Sequence, residues 1–132
     1  MAVPVTRRTL DDLLADARAR IVRYTPAEAH KANQAGALLI DIRSDTDRAR
    51  NGIVPGSLHI PRTVLEWRAD LDSPWRNHRF EKLDQQLILI CDHGYATILA
   101  AAVLTDTATP TPATSSAAMP PGRKQTSRPR TP

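Results

Sequence analysis

One stretch constrains this chain more than any other: residues 86–104, Q-L-I-L-I-C-D-H-G-Y-A-T-I-L-A-A-A-V-L. Leu87, Ile88, Leu89 and Ile90 form a continuous apolar run, the pattern of a strand covered on both faces. Cys91, the chain's single cysteine, follows at the strand's C-terminal end. Gly94 lets the backbone turn where a Cβ would clash. Ile98 to Leu104 has no polar residue and predicts a short buried helix. A lone cysteine between a strand end and a helix start lies where open parallel sheets bind ligands. Converging backbone N–H groups and the helix dipole there favour a thiolate over a thiol.

The rest of the chain predicts more of the same α/β pattern. Thr9 can cap a helix whose apolar stripe is Leu10, Leu13, Leu14 and Ala17, with Asp11 and Asp12 first and Arg18 and Arg20 last. A short strand is expected around Ile21–Arg23. Thr25-Pro26-Ala27-Glu28 reads as a capping box with proline at the first helical position. That helix should reach Ala35 and end at a left-handed Gly36. Ala37–Ile42 is a buried strand, with Asp41 near its C-terminal end. Residues 44–52 are polar, a short helix or loop ending in the Asn51-Gly52 turn signal. Ser57–Ile60 reads as a third strand, stopped by Pro61, and Thr63–Asp70 as helical. The segment from Trp75 to Lys82 is irregular, tucked by Trp75 or Phe80. Short links between strands and helices favour parallel pairing and right-handed crossovers.

At 132 residues the chain is one domain at most. Residues 105–132 hold seven Thr, six Pro and three Ser, with no Leu, Ile, Val or aromatic residue. Such a segment is expected to be disordered, since it cannot bury enough apolar surface to offset its ordering entropy. That divides the chain into a body, 1–104, and a tail, 105–132. Arg123, Lys124, Arg128 and Arg130 against Asp106 place +3 of the chain's net charge of +4 in the tail. The body has no basic face with a recognisable nucleic-acid module. No apolar run approaches the ~18 residues of a membrane span, and no secretory signal is visible. A single cysteine excludes an internal disulfide and a cysteine-rich zinc site. A cytoplasmic, reducing compartment is the default.

C-D-H-G-Y-A at 91–96 resembles the active-site loop of rhodanese-like sulfurtransferases, with Cys91 and Gly94 at the family's first and fourth loop positions. L-L-I-D-I-R at 38–43, V-P-G-S-L-H-I-P at 54–61 and V-L-E-W-R at 64–68 resemble other pieces of the same family in the same order. Ordered matches over about two thirds of the chain are far more specific than the loop alone. The resemblance implies an α/β domain of parallel strands flanked by helices. It also implies a covalent sulfur transfer, with Cys91 as nucleophile and the loop Asp92, His93, Gly94, Tyr95, Ala96 and Thr97 around the substrate. A small sulfur donor such as thiosulfate and a thiol or cyanide acceptor are the expected partners. No cofactor is implied, and no metal: Cys91, Asp92 and His93 are adjacent and rarely could all face one ion. Asp41 and Arg43 match the family's Asp-x-Arg and read as structural support.

Two departures from the family pattern matter. The loop ends in Ala96 where the family often has Arg, which removes a fork of donors for an anionic donor. Thr97, six residues after Cys91, stands where phosphatases of a related fold carry Arg, so phosphatase chemistry is disfavoured. Asp92 beside Cys91 would oppose a thiolate, and a protonated His93 would favour it. The family's last strand, Gly-Gly turn and aromatic-bearing helix are not recognisable after Leu104. The expectation is a sheet lacking its last strand, with two exposed central edges that promote self-association. Against sulfur transfer stand two other readings: a non-catalytic persulfide- or protein-binding module, and an inactive truncation product. The bland reading of Cys91 itself is a buried core thiol.

Overall fold

A computed structural model describes residues 6–107 and 113–116. Five parallel strands form its sheet: β1 (Val22–Arg23), β2 (Leu38–Asp41), β3 (Ser57–His59), β4 (Leu87–Cys91) and β5 (Ala113–Ser116). Their spatial order is β1-β5-β4-β2-β3. Between them run α1 (Leu10–Arg18), α2 (Pro26–Gln34), α3 (Asp45–Asn51), a 3₁₀ turn at Arg62–Val64 leading into α4 (Leu65–Ala69), and α5 (Ala96–Thr105). The α/β parallel sheet flanked by helices is the expected fold.

The local signals act where they were read. Thr9 and Asp12 exchange both bonds of a capping box at α1, and Thr25 and Glu28 do the same at α2. Each box satisfies two orphan N–H groups of a helix start. Ser44 caps α3 by accepting from the Asp47 N–H. Gly36 follows α2 with φ +114°, a conformation that L side chains rarely adopt. Phe80, not Trp75, tucks the irregular segment: Phe80 is buried and Trp75 is exposed.

Strand parity sorts the core into two layers. Leu87, Leu89 and Cys91 of β4, with Leu38 and Ile40 of β2, face a cluster holding Ala17 of α1, Leu65 of α4 and Ile98, Ala101 and Leu104 of α5. Ile88 and Ile90, with Leu39, face the other side, against Ala29 and Ala32 of α2 and Val54. Cys91 therefore lies on the α5 side of the sheet. Burial on both faces is what makes Leu38–Ile40 of β2 and Leu87–Ile90 of β4 read as unbroken apolar runs.

The expectation that the sheet lacks its last strand is wrong. Residues 113–116, Ala-Thr-Ser-Ser, pair with β1 through Val22↔Ala113 and Arg23↔Thr114, and with β4 through Ile88↔Ala113 to Cys91↔Ser116. They fill the place between the first strand and the cysteine-bearing strand. The two central edges are therefore paired, and the basis for self-association through them is removed. The expected body–tail boundary is also too early, since α5 runs to Thr105 and the sheet takes in 113–116. Backbone pairing places this strand: the ladder uses N–H and C=O groups that every residue type here carries. The remaining tail positions, 108–112 and 117–132, lie outside the described residues.

That strand carries a cost. Thr114 is buried, and its Oγ1 has no partner among the described residues. An unsatisfied buried hydroxyl costs about 1–3 kcal/mol. Thr114→Val keeps the shape and removes the hydroxyl, and is expected to raise stability by about that amount in thermal or urea unfolding. A clear destabilisation would show that this side chain is not seated as described.

Candidate active site

The sheet changes direction of travel between β2 and β4. From β2 the chain passes through α3 to β3 on one flank; from β4 it passes through α5 to β5 on the other. Loops leaving such adjacent strands diverge and open a crevice at their carboxyl ends. Ile42 and Arg43 leave β2 there, and the loop beginning at Cys91 leaves β4. The crevice holds about 290 Å³ and is lined by Ile42, Arg43, Ser44 and Asp47 on one side and by Cys91, Asp92, His93, Tyr95 and Ala96 on the other. A larger hollow of about 660 Å³ lies between Thr63, Val64, Trp67, Arg68 and Trp75. Its lining holds no thiol and no carboxylate or imidazole to activate the one hydroxyl, Thr63, so the smaller crevice is the chemical candidate.

Cys91 is buried, and its Sγ lies 3.8 Å from Thr97 Oγ1 on the first turn of α5. Gly94 turns the loop at φ +77°. α5 starts with no side-chain cap at Tyr95. The backbone N–H groups of His93, Gly94, Tyr95 and Ala96 have no acceptor among the described residues. Unsatisfied amides at a helix start form a natural anion cradle. His93 and Tyr95 are exposed at the rim.

Asp92 turns to the β2 side. Its Oδ1 accepts from Arg43 Nη1 at 2.9 Å, and its Oδ2 accepts from Asn51 Nδ2 at 3.1 Å. Arg43 is almost wholly buried. Its Nε and Nη2 bond Asp41 Oδ1 and Oδ2 at 2.9 and 2.8 Å, and Nη2 also bonds the Gly52 carbonyl at 2.8 Å. Arg48 Nε adds a bond to Asp41 Oδ2 at 3.2 Å. Burial alone would push the Arg43 guanidinium down, but the bonds and charges of Asp41 and Asp92 outweigh it and hold it above the ordinary arginine value. His59 Nε2 donates to the Arg43 carbonyl at 2.8 Å.

Asp41 and Arg43 are thus a buried fork pair beneath the loop rather than a surface ion pair. The structure brings Cys91, Asp92, His93, Tyr95 and Ala96 to one crevice, with Thr97 behind the sulfur. Sequence reasoning missed Asn51, Ser44 and Asp47. Asn51 was visible only as half of a turn signal, and its bond to Asp92 spans 41 residues. Among the described residues no cluster of three metal-ligating side chains forms, and no helix is long and apolar enough to cross a membrane.

The family model described as a rhodanese-like domain matches residues 25–114, from the cap of α2 into β5. This chain belongs to the rhodanese-like domain family. It is 36% identical over 85 residues to the thiosulfate sulfurtransferase GlpE of Stutzerimonas stutzeri (strain A1501), covering 62% of this chain and 66% of that protein. The alignment thus spans just under two thirds of the relative's own length. Among solved structures, a protein of unknown function from Rhodopseudomonas palustris CGA009, described as a possible tyrosine phosphatase, superposes with a TM-score of 0.75. It is 28% identical and covers 87% of this chain and 89% of its own. The human single-domain sulfurtransferase TSTD1 superposes with a TM-score of 0.55 at 24% identity, over 84% of this rhodanese-like chain and 98% of its own, a likeness of fold.

Proposed function

We propose that this rhodanese-like domain transfers sulfane sulfur through a persulfide on Cys91. The observation that supports it most is the seat of Cys91: the end of a central strand, facing a loop whose amides lack acceptors, at an uncapped helix start. The similarity to a thiosulfate sulfurtransferase supports the same reading. In the first step the Cys91 thiolate attacks the outer sulfur of the donor. With thiosulfate, a new Cys91 S–S bond forms and the S–S bond of the donor breaks, releasing sulfite. In the second step an acceptor thiolate or cyanide attacks the terminal sulfur and Cys91 leaves as thiolate. This is covalent catalysis in two half-reactions. The loop amides of His93 to Ala96 stabilise the anionic terminal sulfur, and Asp92, Asn51 and Arg43 hold the loop in place. A reducing, cytoplasmic setting belongs to this reading, because it keeps Cys91 a free thiol.

Phosphatase chemistry is less well supported. The sixth position after the nucleophile is Thr97, buried and beside Sγ, and Arg43, the one guanidinium among the described residues that line the crevice, is bound on three sides. Among the described residues no free arginine fork faces the crevice to take a phosphate.

The test is intact mass after incubation with thiosulfate and, separately, with an organic persulfide. Gain of one sulfur atom by the parent and none by Cys91→Ser is the expected result. Equal gain by Cys91→Ser would overturn the assignment. No gain by the parent with either donor would put a non-catalytic binding module in its place.

A further inference from the structure

The crevice has the wrong charge for a dianion. Among the described residues Arg43 is the only guanidinium or ammonium group lining it, beside the imidazole of His93, and four of the five Arg43 N–H donors point to Asp41, Asp92 and the Gly52 carbonyl. Its single positive charge is shared between two carboxylates, one of which Arg48 also meets. Asp47 faces the crevice from α3, and its carboxylate has no ion pair among the described residues. The opposite wall ends in Ala96, which contributes no side-chain donor. Among the described residues the uncommitted donors of the backbone are thus the amides at the start of α5, next to the sulfur, and Asp47 places a carboxylate on the outer wall. The crevice also has room for roughly ten waters at ~30 Å³ each, more than a compact inorganic ion fills.

Resting on the sulfur-transfer reading above, we propose that the donor is an organic persulfide whose carrier group is neutral or cationic, and that Asp47 and Ala96 set this preference against thiosulfate. The outer sulfur of R–S–SH enters the amide cradle while R lies along the Asp47 wall. The Cys91 thiolate attacks that sulfur, the S–S bond of the donor breaks, and Cys91–S–SH and R–S⁻ are formed. No oxidant or reductant is needed, since sulfane sulfur passes from one thiolate to another. Thiosulfate would instead have to place its sulfonate beside Asp47, where no described arginine has a free fork to neutralise it. Like charges at close range in a partly desolvated crevice disfavour that pose.

The experiment compares kcat/KM for thiosulfate with persulfides of glutathione, cysteine and cysteamine, whose carriers are anionic, zwitterionic and cationic. It is run at low and high salt on the full chain and on Asp47→Asn and Ala96→Arg. The expected order is cysteamine, cysteine, glutathione, then thiosulfate, with the spread narrowing as salt screens the wall. Ala96→Arg should raise the thiosulfate value on the order of tenfold or more, through a charge-assisted pair, and leave the cysteamine value unimproved. Asp47→Asn should favour the anionic donors selectively. The proposal fails if thiosulfate matches or exceeds cysteamine persulfide at low salt, or if both variants change all donors alike. That failure would leave a working Cys91 carrier. Absence of sulfur on Cys91 with every donor, read by mass, would overturn the proposal together with the sulfur-transfer reading.

Discussion

Ending the chain after Thr107 is expected to abolish cooperative folding. β5 is the partner of both β1 and β4, and β1 meets no other strand among the described residues. Its removal strips hydrogen bonds from two ladders, each bond worth about 1 kcal/mol net. It also bares one edge of β4, a strand with every residue buried. The summed loss is several kcal/mol against a whole-domain stability of ~5–15 kcal/mol. Thr114→Pro in the full chain is the point version. Proline cannot donate to a ladder and is confined to edge strands, whereas β5 is internal. Circular dichroism on heating checks both. A chain of residues 1–107 that melts cooperatively within about 4 °C of the full chain, a shift worth roughly 1 kcal/mol, would remove β5 from the account.

Arg43→Met is expected to cost about 3–5 kcal/mol, the penalty for removing one partner of a buried charge pair. Asp41, fully buried, would keep only the Arg48 Nε and the Arg43 backbone N–H, and the Gly52 carbonyl would lose its donor. The melting temperature should fall by at least ~12 °C. Because the penalty comes mainly from a stranded carboxylate, the double variant Asp41→Asn, Arg43→Met should be more stable than Arg43→Met alone. A double variant equal to or worse than the single would show that lost packing of the Arg43 stem dominates. Sulfur transfer should fall in both, since Asp92 keeps only Asn51 to hold the first turn of the loop.

What the sequence shows of this fold depends on how local each cause is. The capping boxes at Thr9 and Thr25 involve residues three apart, so the letters alone contain them. Leu87–Ile90 declares itself because a strand covered on both faces has no polar position to disguise it. β5 does the reverse. Ala-Thr-Ser-Ser has no apolar signature, and its place comes from the backbone groups that β1 and β4 leave open. The site divides in the same way. Cys91, Gly94 and Ala96 are legible because the loop is contiguous. The role of Asp92 in holding the loop is not legible in the letters, because its partners, Arg43 and Asn51, arrive from β2 and α3. Asp47 gave no signal at all: an acidic residue in a helix's first turn has an ordinary explanation in the helix dipole.

The position of β5 has a consequence for how the molecule comes into being. Of the five described strands, the last to leave the ribosome is an internal one of the sheet. Val22 must wait for Ala113, some ninety residues of synthesis later, before it has a strand to lie against. Chains grow at about 5–20 residues per second, so the N-terminal third spends several seconds with its sheet unclosed. Pairings so distant in sequence also make for slow closure. During that interval β2, β3 and β4 can already associate with one another, and Cys91 stands on the open flank of that half-sheet. The strand that ends in Cys91 therefore gains its second partner late, when Ser116 pairs beside it.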